Sequence, residues 1–308
     1  MSFPKKAAYS ALLVPLAFIG VVVYAQSRNP QPGFVPTATQ NLSRDILFSP
    51  SADFLSGGGL NALQLISGRI PLNRITPPPA SEQPLHFEVF PPQPALATGE
   101  VRVNNPELDL RTLEDISSQS ETAVAGFGRN ILVAYNDSGQ FTFAPGSSFT
   151  GYSRSADGGL TFTDLGGIPG SPSGANFGDP GLVVDRLGNF YAAGLAFESL
   201  RPPGTQSTIG IWKSTNSGLS WSVPVYPPPG VSGFSDKPFI AVDMTQTASS
   251  GNLYVSWTQF GSLGPQVPIL FSRSVDGGNS FSPAIQLSQP ADSCQGSSRP
   301  SGRRARCM

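Results

Sequence analysis

The sequence predicts an all-β protein made of four-stranded antiparallel units, repeated about three times behind a long irregular N-terminal region. Three observations carry this prediction. The segment "SRSADGGLTF" at 153–162 returns as "SRSVDGGNSF" at 272–281, with a looser copy, "KSTNSGLSW", at 213–221. Before each copy stand two short apolar runs divided by a glycine-containing turn. The 34 glycines and 31 prolines among 308 residues suit many short strands and tight turns better than helices.

Residues 1–25 read as an export signal. Lys5 and Lys6 precede the apolar run "AAYSALLVPLAFIGVVVYA", and Val23 and Ala25 suit the positions before a cleavage site. Pro15 and Gly20 favour a cleaved peptide over an uncleaved signal anchor, so a secreted or periplasmic location is expected. Residues 26–112 carry "NPQPGF", "ITPPPASEQP" and "VFPPQPALATG" with no sustained period, and are expected to form a mostly irregular stalk or linker.

The repeat fills 113–298, with units of about 115–172, 173–232 and 233–290 and the start of a fourth. Each opens on an acidic residue and an apolar run, "SETAVA", "GDPGLVVD" and "SDKPFIAVD", followed by a turn and a second strand, "GRNILVAY", "GNFYAAG" and "GNLYVSW". A third strand ends in Arg154-Ser155, Lys213-Ser214 or Arg273-Ser274 and leads into the box. Four short antiparallel strands per unit of this length is the pattern of a propeller blade. In the box, an Asp or Asn oxygen is expected to hold an irregular turn by accepting backbone N–H groups. Gly159, Gly218 and Gly278 are expected at positive φ. The aromatics Phe162, Trp221 and Phe281 are expected to anchor the hairpin between sheets.

These boxes resemble the Asp-box (BNR) repeats of the sialidase superfamily, S/T-x-D-x-G-x-T/S-W/F. The matching positions are Ser155, Asp157, Gly159, Thr161 and Phe162, then Ser214, Asn216, Gly218, Ser220 and Trp221, then Ser274, Asp276, Gly278, Ser280 and Phe281. The resemblance implies a six-bladed propeller with a site on one face of the axis and the boxes, as architecture, on the other. It also implies three carboxylate-clamping arginines, a Tyr–Glu nucleophile pair and an Asp acid/base. Where the family opens its first blade on Y/F-R-I-P, this chain reads Ser120-Glu121-Thr122. Arg69-Ile70-Pro71 stands far ahead of the first box and reads as a turn in the stalk.

With strands running alternately up and down, first-strand starts and second–third loops share the site face. That face is expected to hold Glu121, Asp179, Asp236, Lys237, Asp137 and Arg201, with Arg129 and Arg186 on the opposite one. Asp137 falls roughly where the family's acid/base would be, and its plain alternative is an Asx turn in "YNDSGQ". The opening acids have two readings. Glu121, Asp179 and Asp236 either bond backbone N–H groups where inner strands begin, or form three carboxylates that hold a cation such as calcium or face sugar hydroxyls.

Composition excludes other classes. Nineteen Lys and Arg against twenty Asp and Glu give a net charge of −1, with no basic field for nucleic acid. The one histidine, His86, rules out a multi-histidine metal centre. No cofactor is expected. The reading that follows is an exported propeller that binds a carbohydrate or cell-surface ligand. Its alternatives are a glycoside hydrolase of exo-α-sialidase type, with further catalytic residues outside this chain, and a structural or adhesive propeller.

Where a fourth unit would open, near Cys294, the chain runs into "RPSGRRARCM" at 299–308. Arginine's CGN codons read one base later encode Val, Ala, Asp, Glu and Gly. A frameshifted or truncated end is therefore expected, the alternative being a basic tail with a Cys294–Cys307 bridge. Open blade faces are then expected to drive self-association.

Overall fold

The computed structural model describes Ile46 and residues 99–105, 119–141, 144–200, 207–261 and 267–288. The signal segment, most of the 26–112 region with Arg69 to Pro71 and His86, Arg201, the two cysteines and the basic tail lie outside these residues. The chain divides into two units, Met1–Phe34 and Val35–Met308, and everything described belongs to the second.

Three antiparallel sheets succeed one another as the blades of a partial β-propeller. The first contains β1 (Gln119–Phe127), β2 (Asn130–Asp137), β3 (Thr150–Ser155) and β4 (Thr163–Gly167) in chain order. The second contains β5 (Ala175–Asn176), β6 (Gly181–Val184), β7 (Phe190–Phe197) and β8 (Ser207–Ser214). Here β5 and β6 share one edge of β7, and β8 takes the other. The third contains β9 (Phe234–Val242), β10 (Leu253–Phe260), β11 (Ile269–Ser274) and β12 (Ile285–Gln286).

Two local differences from the expected pattern lie in blade two. Its opening run is split into β5 and β6 around Gly178-Asp179-Pro180, whereas β9 of blade three runs unbroken across the equivalent Lys237-Pro238. The fourth strand of that blade is reduced to a single bridge, Ile211 to Val225, amid the prolines at 224 and 227–229.

The blades pack face to face. Leu132, Ala134 and Tyr152 of blade one form one core cluster with Leu182, Phe190, Ala192 and Trp212 of blade two. Ala193, Ile209 and Ile211 of blade two form a second with Val255, Trp257 and Leu270 of blade three. Strand β7 is buried at every position because blade two has a neighbour on each side, whereas β1 alternates with exposed residues.

The box turns are built as the residue types require. Asp157 Oδ1 accepts the amides of Leu160 and Thr161 at 2.9 and 3.0 Å, while its Oδ2 accepts the Thr161 hydroxyl at 2.6 Å. Ser155 Oγ accepts the Gly159 amide at 2.8 Å. Blade three repeats this through Asp276, Ser280 and Ser274, and blade two substitutes the amide of Asn216, which accepts from the Ser220 amide and donates to its hydroxyl. Gly159, Gly218 and Gly278 have φ of +92°, +83° and +85°, as expected. Trp221 meets the ring of Tyr152 edge-on at 5.8 Å, and Phe281 packs on the second cluster. Phe162 is half-buried and joins neither cluster.

Hydrogen bonding by Thr161 holds the Asp157 carboxyl well below the ordinary Asp value, and Ser280 lowers Asp276 to about 2. A depressed carboxylate stabilises the fold above its unfolded value, and that contribution fades as pH falls through the folded one. Acidification below the ordinary value of 3.8 is therefore expected to loosen the boxes of blades one and three and leave the neutral Asn216 box unchanged. The Thr161 and Ser280 amide resonances should titrate with inflections below 3.8, while that of Ser220 stays still. Inflections at or above 3.8 would show that the carboxylates are not held as described.

The basic residue before the box serine of blades one and two forms a clip that sequence reasoning did not anticipate. Arg154 Nε donates to the Ser217 carbonyl of blade two at 2.8 Å, and Lys213 Nζ to the Gly277 carbonyl of blade three at 3.0 Å. Both carbonyls belong to the residue that follows the box Asn or Asp, so each blade grips the box of the next.

Candidate functional site

The end of the array opposite the boxes gathers the starts of β1 and β9, the break between β5 and β6, and the ends of β2, β7 and β10. Ladder register places Gln119 beside Asp137 and Phe234 beside Phe260 at this end. The faces are thus divided as strand direction predicts.

Three residues here adopt the left-handed conformation that side chains resist. Glu121, Asp179 and Lys237 have φ of +53°, +55° and +48°, and they recur at equal steps of 58 residues, from 121 to 179 and from 179 to 237. Each lies where an inner strand leaves its register: between Ser120 and Ala123 in β1, between β5 and β6, and opposite the shift from Ser256 to Thr258 beside β9. A non-glycine residue in this region costs roughly 1–3 kcal/mol and marks a place where surrounding structure dictates the backbone.

Repeat position and side-chain chemistry part company at the third copy. The expectation of three equivalent acids, Glu121, Asp179 and Asp236, is corrected, because the residue equivalent to Glu121 and Asp179 is Lys237. Asp236 precedes it in β9, fully buried and in register with Thr258. Three carboxylates around one axis are therefore not what the fold brings together. Lys237 Nζ and Glu121 Oε2 form an ion pair instead, joining blades one and three across 116 residues, with side chains 30% and 28% exposed. Among the described residues, no group of three or more His, Cys, Asp or Glu side chains stands together as a metal site would require.

The other candidates divide clearly. Asp179 is buried and held by Asn136, whose Oδ1 accepts the Asp179 amide at 2.6 Å and whose Nδ2 donates to Asp179 Oδ1 at 3.3 Å. Asp137 is also fully buried. Its Oδ1 accepts the Gly139 amide at 2.9 Å and Gln119 Nε2 at 3.3 Å, capping the short 3-10 turn Ser138–Gln140. This is the Asx-type role, which leaves Asp137 away from solvent. Arg201 lies outside the described residues. Arg129 and Arg186 lie on the box face, donating to the carbonyls of Asp157 and Met244.

Asn136 and Asn176 are the residues that sequence reasoning missed. Asn176 Oδ1 accepts Thr150 Oγ1 at 2.8 Å and the Gly178 amide at 3.0 Å, so the two asparagines pin blades one and two where the backbone is strained. No sequence signal marks them, since their partners lie in the other blade. Tyr135 donates to Asp164 at 3.2 Å and shares a 3.0 Å bond with Ser153. Burial raises its pKa, so the phenol stays protonated as a hydrogen-bonding strut.

No family model matches the chain, and no curated protein matches it. Several solved structures are similar at low identity. Against the Hadza microbial sialidase Hz136 the TM-score is 0.41 at 16% identity, covering 59% of this chain and 37% of that one. Against the Penicillium chrysogenum alpha-L-arabinanase complexed with arabinobiose it is 0.37 at 14% identity, covering 56% and 50%. Against a protein of unknown function from Dyadobacter fermentans it is 0.31 at 15% identity, covering 56% and 69%. The chain thus spans half or less of the two glycosidases.

Proposed function

We propose that this protein is an exported propeller module that binds a polar, hydroxyl-rich ligand of carbohydrate type on its strand-start face, without cleaving it. The observation that carries the reading is the Lys237–Glu121 pair. Two half-exposed charged groups from the first and third blades meet at positions where the backbone is held in a disfavoured conformation. Such a pair offers donors and acceptors side by side, as recognition of sugar hydroxyls needs. Hydrolysis needs two carboxyl groups that can act as acid and as base or nucleophile. Glu121 is engaged in an ion pair with Lys237, while Asp137 is buried and engaged in a cap. Export rests on residues 1–25.

A glycan array followed by saturation-transfer NMR on the strongest hit tests this reading. Glu121→Ala and Lys237→Ala should each weaken retention by about tenfold or more, the equivalent of about 1.4 kcal/mol. Neither should shift the unfolding midpoint much, because a pair this exposed contributes only about 0–1 kcal/mol. Retention that survives both substitutions would place the ligand elsewhere. Turnover of a chromogenic sialoside or arabinoside that disappears in Asp137→Asn would sink the binding-only reading in favour of hydrolysis.

A further inference from the structure

The Lys237–Glu121 pair does more than mark a surface, because its charge balance selects among the ligands that could meet it. Glu121 Oε2 and Lys237 Nζ are already joined, yet 28% and 30% of their side chains remain exposed. Both side chains leave the backbone at left-handed positions that flanking ladder pairs hold. Ser120 and Ala123 are paired on either side of Glu121, and Asp236 and Phe239 on either side of Lys237. The pair is therefore set by the folded strands rather than by a movable loop.

The other described charges of the blades are divided unequally between the two ends. Arg129, Arg186, Arg154 and Lys213 donate to carbonyls at the box end, and Arg273 immediately precedes a box serine. Among the described residues of the blades, Lys237 is thus the one cation on the strand-start face. Glu198, next after the end of β7 on that face, is an exposed residue that adds a carboxylate there.

We propose, resting on the reading that this face binds a carbohydrate, that the ligand is a neutral glycan and that Glu121 excludes glycans carrying a carboxylate, sulfate or phosphate. A sugar hydroxyl can donate to the Glu121 carboxylate while another accepts from Lys237 Nζ. Neither contact needs the pair to separate, since an ammonium has further N–H groups and a carboxylate further lone pairs to offer. An anionic group has to take Lys237 away from Glu121. It then stands beside a carboxylate that has lost its counter-ion, and like charges at that range oppose each other. Exposed hydroxyl residues, Ser120 and Thr122, flank Glu121 and suit a neutral partner equally well.

The test is retention of the full chain on neutral arabino-, xylo- and gluco-oligosaccharides against sialylated and uronic-acid glycans, at roughly 0.05 and 0.5 M sodium chloride. Neutral glycans should be retained with less than about a twofold change between the two salt levels, and acidic glycans should not be retained. Glu121→Gln, checked for folding by circular dichroism, should move the two classes in opposite directions. Neutral glycans lose a charged acceptor and weaken several-fold, while acidic glycans gain retention because Lys237 is released and the opposing charge is gone. Acidic glycans retained by the unaltered protein and lost at high salt would overturn the inference while leaving carbohydrate binding intact. So would neutral retention that Glu121→Gln leaves unchanged, or a folded Glu121→Gln protein that gains no acidic ligand. Retention of neither class would instead remove the carbohydrate reading, and this inference with it.

Discussion

Replacing Trp212 with alanine is expected to destabilise the protein by about 3–5 kcal/mol, a large part of the roughly 5–15 kcal/mol that ordinarily holds a domain together. The side chain is 1% exposed and sits in β8 against the core shared with blade one. Its Nε1 donates to the Pro169 carbonyl of that blade at 2.7 Å, so the loss combines a large cavity with an orphaned acceptor. The surrounding chain has been cleared for the indole: a Cβ at Gly210 would lie 2.5 Å from its Cη2, and one at Gly194 would lie 3.3 Å from its Cζ3. Phenylalanine would keep much of the area but not the N–H, and should cost about 1–3 kcal/mol. Urea unfolding of the three proteins measures this series. A loss below about 1 kcal/mol for alanine would mean that the indole is not packed between the blades.

Gly218→Ala is expected to cost about 2–4 kcal/mol, from backbone strain together with overpacking. Its φ of +83° disfavours any side chain, and an added Cβ would stand 2.5 Å from Cδ2 of the fully buried Leu132 in blade one. The turn cannot retreat, because Ser214 Oγ accepts the Gly218 amide at 2.9 Å and Arg154 grips the neighbouring Ser217 carbonyl. Gly159 in the first box provides the internal control. Its φ is +92°, but its nearest neighbour would be Ile131 Cδ1 at 3.4 Å, so alanine there should cost only the strain, about 1–2 kcal/mol. Equal losses at the two positions in chemical denaturation would remove the argument that blade one packs over the second box.

Both effects come from contacts between blades, and there the sequence was least readable. Within a blade, residue order was enough. The Ser-x-Asp-x-Gly spacing predicts its own turn because carboxylate, hydroxyl and amides lie within five residues of one another, and the structure contains those bonds. Alternating apolar runs predict β2 and β10 for the same reason, since their pairing partners follow within a few turns. The division of faces was equally readable, because strand direction alone puts Glu121 and Lys237 opposite the boxes.

What residue order determined was therefore the local part: the strands, the box turns, the number of blades in the described region and the face on which each loop emerges. Tertiary structure alone decided which charges meet. Aligning acids by type placed Asp236 with Glu121 and Asp179, while the backbone places Lys237 there, because a repeat conserves conformation at a position and leaves the side chain free to differ. The Lys237–Glu121 pair, the asparagine pins and the Arg154 and Lys213 clips all join residues more than 25 positions apart. Contacts at that range depend on how one sheet is rotated against the next, and that rotation is set by packing of the apolar faces as a whole rather than by any short motif.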